Sequence, residues 1–313
     1  MKLVKFLTTL FIFSLVFVAI STNIVNKGLR RSKIEFNGKL NFASNADENI
    51  DLLLVGSSRV FCQLNPKIID SITKLNSYNF GLNGATIKTC FNVTQFVVNH
   101  QPHAKVILLN IDYYMFDIKI DLWKDPRFYP YQRSSNKFIY DTSLTTQFIH
   151  KLKIFDISFY DDNIKYIALD GILRPDREIE NWYKGFSPNS SILFQKPKFK
   201  KEEKKSIDYS ESGFKILEEF ILMCKNKNIK LLFVSAPYRN DYFPTNYFNN
   251  YTIIMERVKK IAENSDIPFF DFSSDTLSYR KDLFNDYNHL NANGSDIYSV
   301  TVAKKIHETM SSN

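Results

Sequence analysis

The sequence has little cysteine, and the three cysteines it contains are far apart. Cys62, Cys90 and Cys224 form no Cys-x-x-Cys pair and no cluster with histidine. This spacing indicates neither a zinc site nor a disulfide framework. We therefore expect three buried free thiols and no bound metal.

Glycine and proline are also few, with 9 and 10 among 313 residues, and no internal repeat is visible. Hydrophobic residues make up 44% of the chain and aromatic residues 15%. This composition supplies enough apolar material for one large core and argues against long disordered linkers.

The formal net charge is +8, but half of this excess lies in one short run. Residues 196–205 hold six Lys and two Glu, a net charge of +4. A nucleic-acid groove needs basic residues interleaved with aromatic ones across a surface, so nucleic acid is not an expected partner. The run is typical of a solvated loop, and the headgroups of anionic lipids are the alternative partner.

The amino terminus carries the one long apolar run. Lys2 and Lys5 precede an uncharged stretch, Phe6–Ile20, which continues with weakly polar residues to Val25. Fifteen to twenty helical residues span about 22–30 Å, close to the thickness of a bilayer core. We expect an anchor or signal segment at residues 1–26 and a polar juxtamembrane stalk at 27–49. Cleavage after the small residues at 19–21 stays open, and the basic residues on both sides do not fix the orientation.

Downstream of residue 49, short apolar runs alternate with helical patterns. This alternation predicts an α/β fold, a three-layer sandwich with a central parallel sheet. After Asp112 it stops for about a hundred residues, so we expect an insertion at about 113–208 within one domain of residues 50–313. The predicted strands are Asp51–Val55, Ser77–Leu82, Lys105–Ile111, Lys230–Ser235 and Pro268–Phe272.

Two polar motifs follow the first two predicted strands, where ligands bind in open parallel sheets. Gly56-Ser57-Ser58-Arg59 follows the first strand, and a serine in such a turn can expose its hydroxyl as a nucleophile. An ordinary turn or a phosphate-binding nest has the same composition. Asn83-Gly84 follows the second strand, where glycine allows close approach of the backbone to a ligand, or merely a βα turn.

A third motif precedes the last predicted helix. Asp286 and His289 are three residues apart, and His289 is the one histidine of five with an acidic residue at that position before it. An aspartate so placed can hold the imidazole tautomer while the other ring nitrogen reaches a serine. A helix cap or a surface pair is the alternative.

Taken together, the three motifs resemble the blocks of the SGNH/GDSL hydrolase superfamily. The resemblance covers residues 51–112 and 209–310 and implies an SGNH/flavodoxin-like fold. It implies that Ser58 is the nucleophile, with Asp286 and His289 as its base, and that the N–H groups of Ser58 and Gly84 form an oxyanion hole. Arg59 and Asn83 are the expected substrate-binding residues.

The third block departs from the family pattern. Ile111 stands where the family has an asparagine that donates to the oxyanion, and Asn110 would point to the opposite face of its strand. Either Asn110 substitutes through a bulge, or the hole has only two backbone donors. One lost donor typically costs about 10²–10³ in rate.

The resemblance extends to membrane-anchored SGNH proteins that modify envelope glycans. It implies a serine esterase or acyltransferase acting on O-acyl, chiefly O-acetyl, groups of an extracytoplasmic glycan, without a cofactor. The membrane is the expected partner of the amino-terminal helix, with the catalytic domain periplasmic or on the cell surface. Two alternatives stay open: a catalytically weak scaffold that binds glycan or partner proteins, and a membrane-tethered lipase. Oligomeric state is not predicted.

Overall fold

A computed structural model describes residues 1–44, 49–117, 126–131, 153–177, 179, 182–189, 209–241 and 251–311. The chain divides into two compact units. One comprises Met1–Asn45 with Lys124–Ile179, and the other Ala46–Trp123 with Glu180–Asn313. The basic run at 196–205 lies outside the described residues.

The larger unit is built on a five-stranded sheet whose strands are all parallel, in the order β2-β1-β3-β4-β5. The residues of β1, β2 and β3 are all buried, as expected for strands covered on both faces. The strands are β1 (Leu52–Val55), β2 (Ser77–Asn79), β3 (Val106–Asn110), β4 (Lys230–Ser235) and β5 (Phe269–Asp271).

Helices cover both faces of this sheet. On one face, α4 (Pro66–Thr73) packs against α9 (Ala292–Ser311) over a core that includes Leu54, Leu108 and Val234. On the other, α5 (Ile87–His100) packs against α7 (Glu211–Asn226), which also contacts β4. The predicted three-layer α/β sandwich with a central parallel sheet is confirmed. The other α-helices among the described residues of this unit are α3 (Ser58–Phe61) and α8 (Tyr251–Asn264).

The second strand is shorter than the prediction of Ser77–Leu82. It ends at Asn79, and a Cβ on Gly81 would lie 2.3 Å from the backbone N of Phe61. The chain therefore leaves the sheet to pass directly over α3, an approach that only glycine permits. This crossing places the turn at Asn83-Gly84 beside the turn after β1.

The smaller unit is helical and contains α1 (Lys2–Leu29), α2 (Glu35–Ser44) and α6 (Asp162–Leu173). Within the segment predicted to be a polar juxtamembrane stalk, 27–49, α2 is a helix whose Phe36 and Leu40 are buried. Packing of these two apolar side chains stabilises the helix. In the sequence, the polar residues around them made this helix hard to recognise.

The amino-terminal helix α1 has 28 residues, and its most apolar window has a mean hydropathy of 2.4 with no buried residue. It is the one helix among the described residues that is long and apolar enough to cross a bilayer. Within the predicted insertion, 113–208, Lys124–Ile179 belongs to the unit of α1, and the residues that follow belong to the sheet unit.

Candidate active site

The turn after β1 presents two adjacent serines at the start of α3. Ser57 is the N-cap of this helix, and its hydroxyl accepts a hydrogen bond of 3.2 Å from the N–H of Arg59. A Cβ on Gly56 would lie 2.5 Å from Cγ2 of Val60, so the turn is as tight as glycine allows. Ser58 begins the helix and is partly exposed.

Ser58, His289 and Asp286 form a continuous hydrogen-bonded relay. The Oγ of Ser58 lies 2.8 Å from Nε2 of His289, and Nδ1 of His289 lies 2.8 Å from Oδ2 of Asp286. One ring nitrogen therefore faces the hydroxyl while the other faces the carboxylate. This is the geometry in which a histidine can remove a serine proton.

The loop that carries Asp286 and His289 is held rigidly. Oδ1 of Asp286 accepts from the backbone N–H groups of Asn288 and His289 at 2.9 and 2.8 Å. Burial raises the pKa of Asp286, but the hydrogen bond and charge of His289 and these two amides outweigh it, so the pKa is lowered overall. Asp286 is therefore a carboxylate at neutral pH.

A second tie joins this loop to the nucleophile segment. The side-chain amide of Gln63, five residues after Ser58, donates to the carbonyl oxygen of Asn288 at 2.9 Å. Gln63 is fully buried, and the hydroxyl of Ser299 donates to its backbone carbonyl. The loop of His289 and the segment of Ser58 are thus connected through one buried side chain.

Beneath the two serines lies a buried polar network centred on Asp112. Its carboxylate accepts hydrogen bonds from the Ser57 hydroxyl at 2.9 Å, the Tyr114 hydroxyl at 2.9 Å and the Tyr238 hydroxyl at 3.3 Å. It also forms an ion pair with Arg59, and both side chains are fully buried. Asp112 therefore holds this network together.

Arg59, an expected substrate-binding residue, is fully buried. Its guanidinium donates to Asp112 and to the carbonyls of Ala236 and Pro237, and it stacks 3.6 Å over the ring of Tyr238. Burial alone would lower its pKa, but the carboxylate of Asp112 and nearby tyrosines raise it above the ordinary value. Pairing is what makes a fully buried arginine tolerable.

The contacts of Asn110 bear on the two alternatives left open for it, and they do not favour the bulge. Its side-chain N–H donates to Oδ2 of Asp112 at 2.8 Å, and its side-chain oxygen accepts from the N–H of Ala236 at 3.1 Å. Asn110 is 1% exposed and sits at the end of β3, where it joins β3 to the loop after β4. No bulge turns it toward the oxyanion position.

The remaining expected oxyanion donors are two backbone amides. The N–H of Ser58 belongs to the first turn of α3 and so has no acceptor within the helix. Gly84 lies in an exposed turn with φ +68°, a conformation that favours glycine. The N–H of Leu82 donates to the carbonyl of Gly56 at 3.0 Å, which ties this turn to the nucleophile turn.

The other predicted site residues have simpler surroundings. Asn83 is exposed in the turn beside Gly84, so its side chain is available to a ligand. The Cys62 thiol is buried and donates to the carbonyl of Ser58 at 3.0 Å. Burial raises the pKa of Cys62 to about 12, so this thiol is protonated at neutral pH. Among the described residues, no group of His, Cys, Asp or Glu has the composition of a metal site.

Sequence reasoning missed the positions that support the site: Ser57, Gln63, Tyr114 and Tyr238. One signal was available for Ser57, which directly precedes the candidate nucleophile. The others come from loops and helices that no local motif marks, and only the fold brings them beneath the cleft. Strand order, motif positions and relay geometry agree with what the resemblance to SGNH/GDSL hydrolases implies.

No protein-family model and no curated protein matches the chain. Solved structures resemble it at low identity. A lipase/acylhydrolase from Enterococcus faecalis is 10% identical over 83% of this chain and 96% of its own, with a TM-score of 0.43. A GDSL-like lipase from Bacteroides thetaiotaomicron is 9% identical (88% and 100%, TM-score 0.43). An acetylxylan esterase from Geobacillus stearothermophilus is 12% identical (82% and 93%, TM-score 0.39). Likeness at this level carries no inference about substrate.

Proposed function

We propose that the chain is a serine ester hydrolase or O-acyltransferase that works through an acyl-enzyme on Ser58. The relay from Ser58 through His289 to Asp286, with both contacts at 2.8 Å, carries this proposal. A serine hydroxyl is a weak nucleophile unless a base accepts its proton. A neutral imidazole within hydrogen-bond distance, oriented by a carboxylate, meets that requirement.

The mechanism follows from these contacts. Oγ of Ser58 attacks the ester carbonyl carbon while its proton passes to Nε2 of His289. The carbonyl oxygen becomes an oxyanion that accepts from the N–H groups of Ser58 and Gly84. The C–O bond to the alcohol breaks, and the leaving alkoxide takes the proton from His289.

The acyl group then leaves Ser58 by the reverse sequence. Water, or a sugar hydroxyl in the transfer reaction, gives its proton to His289 and attacks the acyl carbon. Ser58 recovers its proton as its bond to the acyl group breaks. The carboxylate of Asp286 accepts a hydrogen bond from Nδ1–H of His289 throughout and stabilises the imidazolium in both halves of the reaction.

For the substrate, we propose O-acyl, chiefly O-acetyl, groups on an extracytoplasmic glycan. The resemblance to membrane-anchored SGNH proteins and the long apolar helix α1 support this choice. In this proposal, α1 anchors the chain in the cytoplasmic membrane by a single pass, and the sheet unit faces the periplasm or cell surface. The exposed side chain of Asn83 would contact the sugar or the acyl group.

A second candidate is a catalytically weak scaffold that binds glycan or partner proteins. One observation favours it: both ends of the Asn110 amide are occupied by Asp112 and Ala236, so the hole lacks a side-chain donor. Loss of one donor typically costs about 10²–10³ in rate, which slows the reaction without abolishing it. Hydrolysis of a simple ester therefore remains the expected activity.

The test is release of p-nitrophenol from its acetate and palmitate esters by the full chain. We expect acetate turnover that falls by about 10⁴-fold or more in Ser58→Ala and His289→Ala. The matched controls, Ser71→Ala and His307→Ala, lie on exposed helix positions and should retain full activity. Preference for palmitate would favour a lipase, and no turnover of either ester would favour the scaffold.

A further inference from the structure

Exposed apolar side chains outside α1 are concentrated in one short segment of the smaller unit. This segment, which we call the collar, runs from the end of the 3-10 helix Lys153–Phe159 through α6. Elsewhere among the described residues, large exposed apolar side chains are scattered singly. The collar side chains and their exposed fractions are Phe159 41%, Tyr166 52%, Leu169 52%, Ile172 36% and Leu173 68%.

Helix α6 is apolar on two opposite faces. One face is buried and includes Ile164, Ile167 and Ala168. Tyr166, Leu169 and Leu173 follow the spacing i, i+3, i+7 and form a stripe on the other face. A surface helix ordinarily has polar residues there, so the stripe is typical of a helix with a second apolar partner.

The buried face fixes α6 against the carboxyl-terminal end of α1. A Cβ on Gly28 would lie 2.2 Å from the carbonyl oxygen of Ala168, and one on Gly171 would lie 2.1 Å from that of Gly28. The two backbones therefore touch through small residues, as in closely packed membrane helices. Leu29 and the partly buried Val25 belong to the same apolar cluster as the buried residues of α6.

This contact lies at the level where α1 would leave a bilayer. Between Lys5 and Lys27, α1 contains no charged residue, and these 21 residues span about 32 Å of helix. That length matches the hydrocarbon core, so Lys27 marks its outer boundary. Because α6 packs on Val25, Gly28 and Leu29, the contact that holds the collar lies within about one helical turn of this boundary.

The charges around this junction are mostly basic. Lys27, Arg31 and Lys33 are exposed at and after the end of α1. Arg174 and Arg177, after α6, share the buried carboxylate of Asp170. The exposed Asp176 balances the second arginine, so the basic excess comes from the residues at the end of α1. Basic side chains beside an apolar stripe are the combination that binds anionic lipid headgroups.

We propose that the collar lies on the membrane that α1 enters, with its apolar stripe inserted among the headgroups of anionic phospholipids. The proposal rests on the proposed anchoring by α1. It also gives the basic residues after α1 a role as headgroup ligands. The positive-inside tendency does not explain basic residues on the exported side of an anchor. The collar then fixes the smaller unit on the bilayer surface instead of leaving α1 as a free tether.

The test measures lipid contact at single positions in the full chain, reconstituted into nanodiscs of phosphatidylglycerol and phosphatidylcholine. An environment-sensitive fluorophore is attached at Leu173→Cys, and spin-labelled phosphatidylcholine serves as the quencher. Leu222→Cys, on α7 of the sheet unit, is the matched control because Leu222 is 56% exposed. Phe13→Cys reports on α1 itself, and the three native thiols, which are buried, give the background.

We expect quenching at Leu173 about twofold or more above that at Leu222, with a smaller effect in discs of phosphatidylcholine alone. Strong quenching at Phe13, together with equal quenching at Leu173 and Leu222, would overturn the proposal for the collar and leave the anchor intact. A blue-shifted Leu173 signal without lipid quenching would indicate a protein partner and overturn it too. Absence of quenching at Phe13 would refute the anchor, and the collar with it. Equal quenching at Leu173 in both kinds of disc would overturn the headgroup preference.

Discussion

At the scale of the residue, the two adjacent serines of the nucleophile turn have opposite surroundings. Ser57 points into the buried network and bonds Asp112, whereas Ser58 faces His289 in the cleft. Adjacent positions at a helix start diverge in this way because the N-cap residue is not helical and the next residue is. The motif located both serines, but only the fold assigned their directions.

The relay predicts a specific effect for Asp286→Asn. The amide keeps the shape of the carboxylate, but its oxygen is needed by the N–H groups of Asn288 and His289, so an uncharged NH2 group faces Nδ1 and cannot stabilise an imidazolium. We expect kcat for p-nitrophenyl acetate to fall by about 10²–10⁴, with the melting temperature shifted only slightly. Steady-state kinetics and thermal denaturation measure both. A variant with near-normal kcat would remove Asp286 from the relay.

The ion pair of Arg59 and Asp112 predicts non-additive effects on stability. Because both side chains are fully buried, Arg59→Met or Asp112→Asn leaves one uncompensated charge, and we expect a loss of about 3–5 kcal/mol in the free energy of unfolding. The double variant should lose less than the sum of the single variants. Denaturant titrations measure all three, and additive losses would contradict the pairing.

We expect substitution of Asn110 to affect the free energy of unfolding more than the catalytic rate. Asn110→Ala removes bonds to Asp112 and Ala236, so we expect a loss of roughly 1–3 kcal/mol in the free energy of unfolding. Because the side chain does not face the oxyanion, kcat/KM of the folded variant should fall less than about 10-fold. A fall of a hundredfold or more in a stable variant would restore Asn110 to the oxyanion hole.

At the scale of the element, short loops position the chemistry on a rigid sheet. The α3 segment and the loop of Asp286 and His289 lie far apart in the sequence. In the fold, the side chain of Gln63 joins them. The hydrogen bonds within each segment do not fix its position relative to the other segment. The distance from Ser58 to His289 therefore depends on the packing between these two segments.

This connection predicts a kinetic defect for Gln63→Leu. The substitution keeps the volume of the side chain but removes the donor to the carbonyl of Asn288. We expect kcat to fall about tenfold with KM nearly unchanged, because alignment of base and nucleophile is lost while the cleft is kept. A change in stability alone, with kcat preserved, would assign Gln63 a purely structural role.

The sequence predicted the parallel sheet well, and the physical reason is the strength of its signal. Strands buried on both faces are continuous apolar runs such as Leu52–Val55, which alternate with amphipathic helices. The extent of β2 and the helix at Glu35–Ser44 could not be predicted, because tertiary contacts decide them. Phe36 and Leu40 look incidental until their packing partners are known.

The site was predictable to the extent that local motifs encode it. Ser58 lies in a short motif after a strand, Asp286 and His289 lie in one before the last helix, and the structure brings them together. The motif did not show that Arg59 is buried, because its partner Asp112 lies 53 positions away in the chain. Direction and burial of a side chain follow from long-range packing, which a motif does not contain.

At the scale of the whole molecule, ionised aspartates contribute to stability in a pH-dependent way. Burial raises the pKa of Asp271, but hydrogen bonds from Ser273 and Lys259 and the charge of Lys259 lower it overall. Asp51 and Asp286 behave alike. A carboxyl whose folded pKa is depressed stabilises the protein above its unfolded pKa, and this contribution is lost as the pH falls through the folded pKa.

We therefore expect the free energy of unfolding to fall as the pH drops below about 4. Urea titrations of the full chain in detergent between pH 7 and pH 3 measure this loss. Asp271→Asn should be less stable at pH 7 and show a shallower loss in acid. Equal slopes for the variant and the parent would contradict the role of Asp271.

The central claim is that Ser58 is an activated nucleophile, and covalent labelling tests it most directly. The full chain is incubated with a fluorophosphonate, and the modified residue is identified by peptide mass spectrometry. The account predicts a single adduct on Ser58 that is absent in Ser58→Ala, strongly slowed in His289→Ala and normal in Ser71→Ala. No adduct on Ser58 in the folded wild-type protein, or labelling that is unaffected by His289→Ala, would contradict it.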